Sequence, residues 1–183
     1  MREIALHILD IIQNSIAADA ELVKLLIDEK IKKNELIIEI EDNGSGMSKK
    51  EQKEVVDPFV TSRKTREVGL GLPLLKANAE NCSGNLEINS IPGRGTEVRV
   101  NFEYDHIDRA PLGDIVSTIS TLITVNPDID FIYRHRVNGD EFVFNTCDIK
   151  NELADIKINN PEVIAWIEKQ LKDELKTIGG GEY

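Results

Sequence analysis

The stretch Asp42-Asn43-Gly44-Ser45-Gly46-Met47, set beside Val68-Gly69-Leu70-Gly71-Leu72-Pro73 downstream, decides the fold. Residues 35–41 (ELIIEIE) lead into the first stretch, and Leu36, Ile38 and Ile40 alternate there with Glu39 and Glu41. Such alternation predicts a strand with one buried face. Two glycines follow, where the backbone must turn tightly and side chains would clash. Asp42 falls just past the strand end, where a carboxylate can accept a hydrogen bond from an exocyclic amine. In the second stretch Gly69 and Gly71 precede Pro73. Proline suits the first turn of a helix, where its missing N–H is not needed. Glycines entering a helix N-terminus expose N–H groups at the positive end of its dipole, an arrangement suited to phosphate. One glycine pair says little; two in this order and context say much.

The chain has 183 residues, enough for one large domain or two small ones. It carries 22 Lys+Arg against 33 Asp+Glu, a formal net charge of −11. That balance speaks against sequence-independent binding to nucleic acid or to an anionic membrane, both of which need a basic face. Cys82 and Cys147 are too few for a disulfide framework or an iron–sulfur cluster, so reduced thiols are expected. No basic segment followed by an apolar core opens the sequence, and no apolar run approaches about 18 residues. The expectation is a soluble, cytoplasmic protein.

Residues 1–20 predict a helix, with Ile4, Ile8, Ile11 and Ile12, plus Leu9 and Ile16, in a broad apolar arc. Asp10 and Asn14, four apart, share one edge of it, with His7 one turn before. Polar residues there equally suit the solvated border of a buried stripe, and His7 reads as such a boundary residue. Residues 21–29 (ELVKLLIDE) read as a strand, with a continuing helix as the alternative, and 30–34 as a charged turn. Residues 48–56 (SKKEQKEVV) predict a short helix with Ser48 and Glu51 as a capping box. Asp57-Pro58-Phe59 breaks it. The basic stretch 60–67 (VTSRKTRE) is a loop in which Arg63, Lys64 and Arg66 could close over a polyphosphate. Residues 73–82 are helical, with Gly84 near the C-cap, and 86–90 and 97–102 form a hairpin around Pro92-Gly93-Arg94-Gly95. The first hundred residues thus predict a mixed sheet with helices on one face. Beyond them, residues 114–124 suit a helix, Asn138-Gly139 joins two strands, and 161–178 form an amphipathic helix with Val163, Ile164, Ile167, Leu171 and Leu175 on one side.

Together these motifs resemble the ATP-binding domain shared by DNA gyrase, Hsp90-type chaperones, sensor histidine kinases and MutL, the GHKL family. The similarity runs over residues 1–104. The segment Asp10-Ile11-Ile12-Gln13-Asn14-Ser15-Ile16 is similar to the family's N box, and Asp42 to Met47 to its first glycine box. Asp57-Pro58-Phe59 resembles the F box, Gly69-Leu70-Gly71-Leu72 the second glycine box, and Gly93-Arg94-Gly95-Thr96 the start of the last sheet strand. The resemblance implies an α+β, two-layer α/β sandwich of the Bergerat type over residues 1–104. A small C-terminal α+β appendage over 105–178 and a tail at 179–183 complete the expected domain plan.

The resemblance also implies roles. Asn14 would ligate Mg²⁺ through its amide oxygen, beside phosphate oxygens. Asp42 would accept the adenine amine; Gly44, Gly46, Met47, Phe59, Leu70 and Leu72 would line the nucleotide site, with Gly46 admitting the base. Thr96 would steady the Asp42 carboxylate or a water. Gly69 and Gly71 would offer N–H groups to phosphate, and Arg63 or Lys64 would be the lid cation near the γ-phosphate. Asp10 stands where gyrase-like members place a glutamate base and histidine kinases commonly place asparagine; it keeps the base chemistry with one methylene less reach. Thr65-Arg66-Glu67-Val68 replace the glycines many kinases have there, implying a less mobile lid.

The implied cofactors are ATP and Mg²⁺, and the implied activity is phosphoryl transfer to a partner protein. The alternatives are a stand-alone ATPase whose lid closure switches partner binding, and a non-catalytic nucleotide sensor. In the ATPase reading, residues 111–178 would be the surface for a partner or a second copy in a homodimer. On the sequence as read, the helical hairpin that holds a sensor kinase's phosphoacceptor histidine is not expected ahead of the ATP-binding segment. His106-Ile107-Asp108-Arg109-Ala110-Pro111-Leu112 resembles the acceptor box in part, but the acidic neighbour is displaced to Asp108. The competing reading is a linker with Pro111 opening a helix.

Overall fold

The computed structural model describes residues 3–56 and 71–179. Helix α1 (Ile4–Ala17) is followed by β1 (Leu22–Lys30), a 3-10 turn at Ile31–Lys33, β2 (Glu35–Asp42) and α2 (Lys49–Glu54). After residue 70 come α3 (Gly71–Asn81), β3 (Asn85–Ile91), β4 (Gly95–Glu103) and α4 (Ile115–Val125). The chain ends with β5 (Asp130–Val137), β6 (Asp140–Asn145), α5 (Thr146–Glu152) and α6 (Pro161–Thr177). The six strands form one sheet in the order β3-β4-β2-β1-β5-β6. Every neighbouring pair is antiparallel except β1 and β5, which run parallel.

This is the α+β sandwich expected from the alternating strands. Along β1 burial alternates, with Val23, Leu25, Ile27 and Glu29 covered by helices. The other face is charged and paired across strands: Lys24 with Glu41, Arg99 with Glu39, and Arg134 and Arg136 with Glu141. Exposed pairs of this kind contribute roughly 0–1 kcal/mol each, so the helix-covered face holds the fold. There Ile4, Ile8, Ile11 and Ile12 of α1 are each no more than 3% exposed. Burying such a side chain contributes about 1.5–3 kcal/mol.

The C-terminal α+β region joins the sheet through β5, with Leu25 opposite Tyr133 and Ile27 opposite His135. A buried polar chain reinforces this seam. His135 Nε2 lies 2.6 Å from Glu29 Oε1, Tyr133 Oη lies 2.5 Å from His135 Nδ1, and Tyr104 Oη donates to Glu29 Oε2 at 2.9 Å. The β5–β6 hairpin turns at Asn138 and Gly139, both in the left-handed region (φ 50° and 105°), as a type I′ turn requires.

Two expectations are corrected. Pro111 opens no helix: Gly113 (φ 79°) breaks the path, and α4 starts at Ile115 under an Asp114 cap that accepts Ser117 N–H at 2.8 Å. Pro111 and Leu112 instead lend their carbonyls to Ile4 and Ala5 N–H (2.9 and 2.8 Å), because Glu3 supplies no side-chain cap to α1. His7 is no boundary residue; it is 1% exposed, covered by α3, where the Asn78 amide lies 3.4 Å from Nε2. Helix α3 is described from Gly71, with Pro73 near that end, as expected. Helix α5, capped by Asn145 on Cys147 N–H at 3.0 Å, had no counterpart in the sequence reading.

Candidate functional site

At the end of β2 the Asp42 carboxylate is 9% exposed and almost fully engaged. Its Oδ1 accepts N–H groups from Gly44 (2.9 Å) and Thr96 (3.2 Å), and its Oδ2 accepts the Ser15 hydroxyl at 2.6 Å. A carboxylate has about four lone-pair sites, so one remains, on Oδ2. The β2–β4 register, which sets Asp42 opposite Thr96, delivers the second donor. The Thr96 hydroxyl serves elsewhere, 2.9 Å from Ser90 Oγ; its backbone, rather than its side chain, holds Asp42.

The loop after Asp42 is tied on every side. Asn43 Oδ1 accepts the N–H groups of Glu21 and Leu22, both at 2.9 Å. Ser45 N–H reaches the Ala18 carbonyl (2.8 Å), and Ser45 in turn accepts Gly93 N–H (2.7 Å). Gly46 adopts φ 64°, and a Cβ there would stand 2.1 Å from the Ile91 carbonyl oxygen, which no side chain can tolerate. This glycine lets the loop pass the β3–β4 turn. Met47 follows, with its N–H on Ser90 Oγ at 2.7 Å and its carbonyl accepting from Gln52 at 2.9 Å.

Helix α1 supplies the second side of the site. Ser15, which reaches Asp42, follows directly on half-buried Asn14, and Asp10 lies one turn earlier. The start of α3 rests on Asp10: a Cβ at Gly71 would stand 3.0 Å from Asp10 Cβ and 3.1 Å from its Oδ2. Buried Leu72, 4% exposed, follows. The structure therefore brings together Asp10 with Gly71, and Asp42 with Gly44 and Thr96. Phe59, Arg63, Lys64, Gly69 and Leu70 lie outside the described residues, as does the whole lid segment 57–70.

Three participants escaped the sequence reading: Ser15, Ser90 and Gln52. The signal for Ser15 was present, since it interrupts the buried stripe of Ile8, Ile11 and Ile12 with a polar group that needs a partner. Ser90, 4% exposed, carries the same signal on β3. His106 stands apart, beyond the far end of β4 from Asp42; Asp42 lies opposite Thr96, and from there to Glu103 the strand runs roughly 23 Å. His106 Nδ1 accepts Asp108 N–H at 3.2 Å. Among the described residues no three His, Cys, Asp or Glu side chains cluster to hold a metal. No described helix is long and apolar enough to cross a membrane.

Comparison with known proteins gives a consistent picture. The family model described as histidine kinase-, DNA gyrase B-, and HSP90-like ATPase matches residues 2–106. Sporulation kinase D of Bacillus subtilis is 36% identical over 93 residues, 51% of this chain and 18% of that protein. A sensor protein of Shewanella frigidimarina is 32% identical over 97 residues, 52% of this chain and 15% of its own length. The matched segment is thus under a fifth of either relative. Among solved structures, the Aquifex aeolicus MutL ATPase domain complexed with ADP superposes with a TM-score of 0.56 at 16% identity, covering 93% of this chain and 70% of that one. The N-terminal domain of a DNA repair protein gives the same TM-score at 15% identity, covering 78% and 52%.

Proposed function

The chain belongs to the histidine kinase-, DNA gyrase B- and HSP90-like ATPase family, and from that premise we propose that it binds Mg·ATP and transfers the γ-phosphoryl group to a partner protein. The observation that carries the nucleotide reading is the Asp42 carboxylate, fixed by Ser15, Gly44 and Thr96 with one lone pair left to accept an adenine amine. Asn14 directly precedes Ser15 on the helix tied to that carboxylate, and its amide oxygen would help to hold a Mg²⁺. This hard-cation chemistry needs no all-protein cage and suits a site without a cluster of acidic ligands among the described residues. Bound there, the metal would offset charge on the phosphates. Asp10, on α1 against the start of α3, would orient or deprotonate the attacking group, and the work left to the protein is positioning and charge neutralisation.

The kinase reading is supported by the relatives named sporulation kinase and sensor protein. The acceptor is placed on a separate protein because of His106. It stands beyond the end of β4 remote from Asp42, and its Nδ1 accepts Asp108 N–H. We place the protein in the cytoplasm, where ATP and such partners are found together. The test is incubation with γ-³²P-ATP, with and without extract fractions. Acid-labile label on protein supports phosphotransfer to histidine. Free phosphate alone supports the ATPase alternative, and tight binding without turnover under all conditions supports a sensor.

A further inference from the structure

Helix α2 looks like a solvated surface helix, KKEQKE, yet one of its side chains turns inward. The Gln52 amide Nε2 donates to two backbone carbonyls, Met47 at 2.9 Å and Ser90 at 2.7 Å. Both partners are acceptors, so the amide must present its NH₂ group, and among uncharged side chains of this length only glutamine has one. Met47 N–H is in turn held by Ser90 Oγ, which also donates to the Gly95 carbonyl at 3.0 Å. Gln52 and Ser90 thus close a ring around the end of the glycine loop and occupy both polar groups of the Met47 peptide unit. Met47 is left with only its side chain to offer a ligand.

We propose that Gln52 is a positioning residue of the nucleotide site: it sets the glycine loop of residues 43–47, and with it the base-binding half of the site, without touching nucleotide. The inference rests on the nucleotide reading above. The capping box of α2 is formed by Ser48 and Glu51, independently of Gln52, so the helix does not need this glutamine to form. What the glutamine adds is a fixed distance between Met47 and β3. Without it two carbonyls lose this donor, and the far end of the loop that presents Gly44 N–H to Asp42 is held to β3 by the Ser90 hydroxyl alone.

The experiment is calorimetric titration of the full chain with ADP, together with urea unfolding in the absence of nucleotide, for native protein, Gln52→Leu and Gln52→Glu. Gln52→Leu should weaken ADP on the order of tenfold, with the protein still folded and its urea midpoint lowered only modestly by the two carbonyls left without this donor. Gln52→Glu should be as weak at pH 8, because its carboxylate faces two carbonyls. Relative to native protein it should recover as pH falls toward 5, because a protonated carboxyl can again donate one bond. Native ADP affinity in Gln52→Leu would overturn the proposal. So would an affinity loss that follows the unfolding midpoint with no pH recovery in Gln52→Glu, the mark of a stabilising clip alone. If native protein binds no ADP, the nucleotide reading itself fails, and the failure appears without any variant.

Discussion

Ser15 Oγ donates to Asp42 Oδ2 at 2.6 Å, across 27 residues of chain, and thereby locks α1 to the end of β2. The helix bearing Asp10 and Asn14 and the carboxylate proposed to hold the base are one rigid unit. A nucleotide spanning the two would meet groups whose separation is already set, so little ordering cost remains for binding.

That relationship separates two substitutions. Asp42→Asn should keep the fold but present an NH₂ group where the adenine amine needs an acceptor. ADP should bind about ten- to a hundredfold more weakly, the worth of a hydrogen bond to a charged group. Ser15→Ala should act first on stability, because a buried carboxylate oxygen loses its partner; a loss of about 1–3 kcal/mol is expected in urea unfolding. ADP affinity by calorimetry and the unfolding midpoint, measured on both variants, check the pair. An Asp42→Asn protein with native ADP affinity would remove Asp42 from the site.

Asp10 and Asn14 share one helix edge, but different losses are expected of them. Asn14→Ala should abolish the dependence of ATP binding on Mg²⁺, read as ATP affinity with and without EDTA. Asp10→Asn should leave Mg·ATP binding within about threefold, since it keeps size and loses only charge, while ADP release falls at least about a hundredfold if Asp10 is the base. Native turnover in Asp10→Asn would exclude it from the chemistry.

How far the sequence carried these assignments depends on how local each signal is. The strand into Asp42, the capping box at Ser48 and Glu51 and the Asn138-Gly139 turn are local patterns and emerge as read. The parallel pairing of β5 with β1 is not local: nothing in residues 130–137 names a partner more than a hundred positions earlier. Helix α5 (TCDIKNE) buries only Thr146, so it has no stripe to find. Gln52, between lysines and glutamates, reads as solvent-facing until the carbonyls of Met47 and Ser90 are in place. Ser15 and His7 were legible in principle, because both stand on the buried side of α1; treating polar residues there as border hid them.

His106 provides a sharp negative prediction. It lies beyond the end of β4 remote from Asp42, and its Nδ1 is occupied by Asp108 N–H. His106→Ala should therefore leave any transfer of label from γ-³²P-ATP to a partner within about twofold, and ADP release equally intact. Loss of protein-bound label in this variant, with nucleotide affinity preserved, would restore His106 as the acceptor.

The last prediction concerns pH and follows from His7. Burial against α3 lowers its pKa from the ordinary 6.5, and the opposing influences of the Gly71 backbone and the Asp10 carboxylate are smaller. The unfolded chain takes up this proton near 6.5, the folded chain only at lower pH. Between the two the unfolded state binds more protons, so the His7 contribution to stability is complete above about 6.5 and falls as pH drops toward the folded value. Urea midpoints from pH 7.5 to 5.5 should decline in native protein, and His7→Leu should remove part of that decline. The readout extends to the site, because His7 lies one turn from Asp10 on the same helix and its Asn78 partner belongs to α3, whose first residue rests on Asp10. Protonating His7 in the folded chain should loosen that contact, so ADP release by native protein should fall at lower pH, toward the lowered folded pKa, more steeply than in His7→Leu. Identical pH profiles for the two proteins, in both stability and turnover, would show that His7 is neutral filler between the helices.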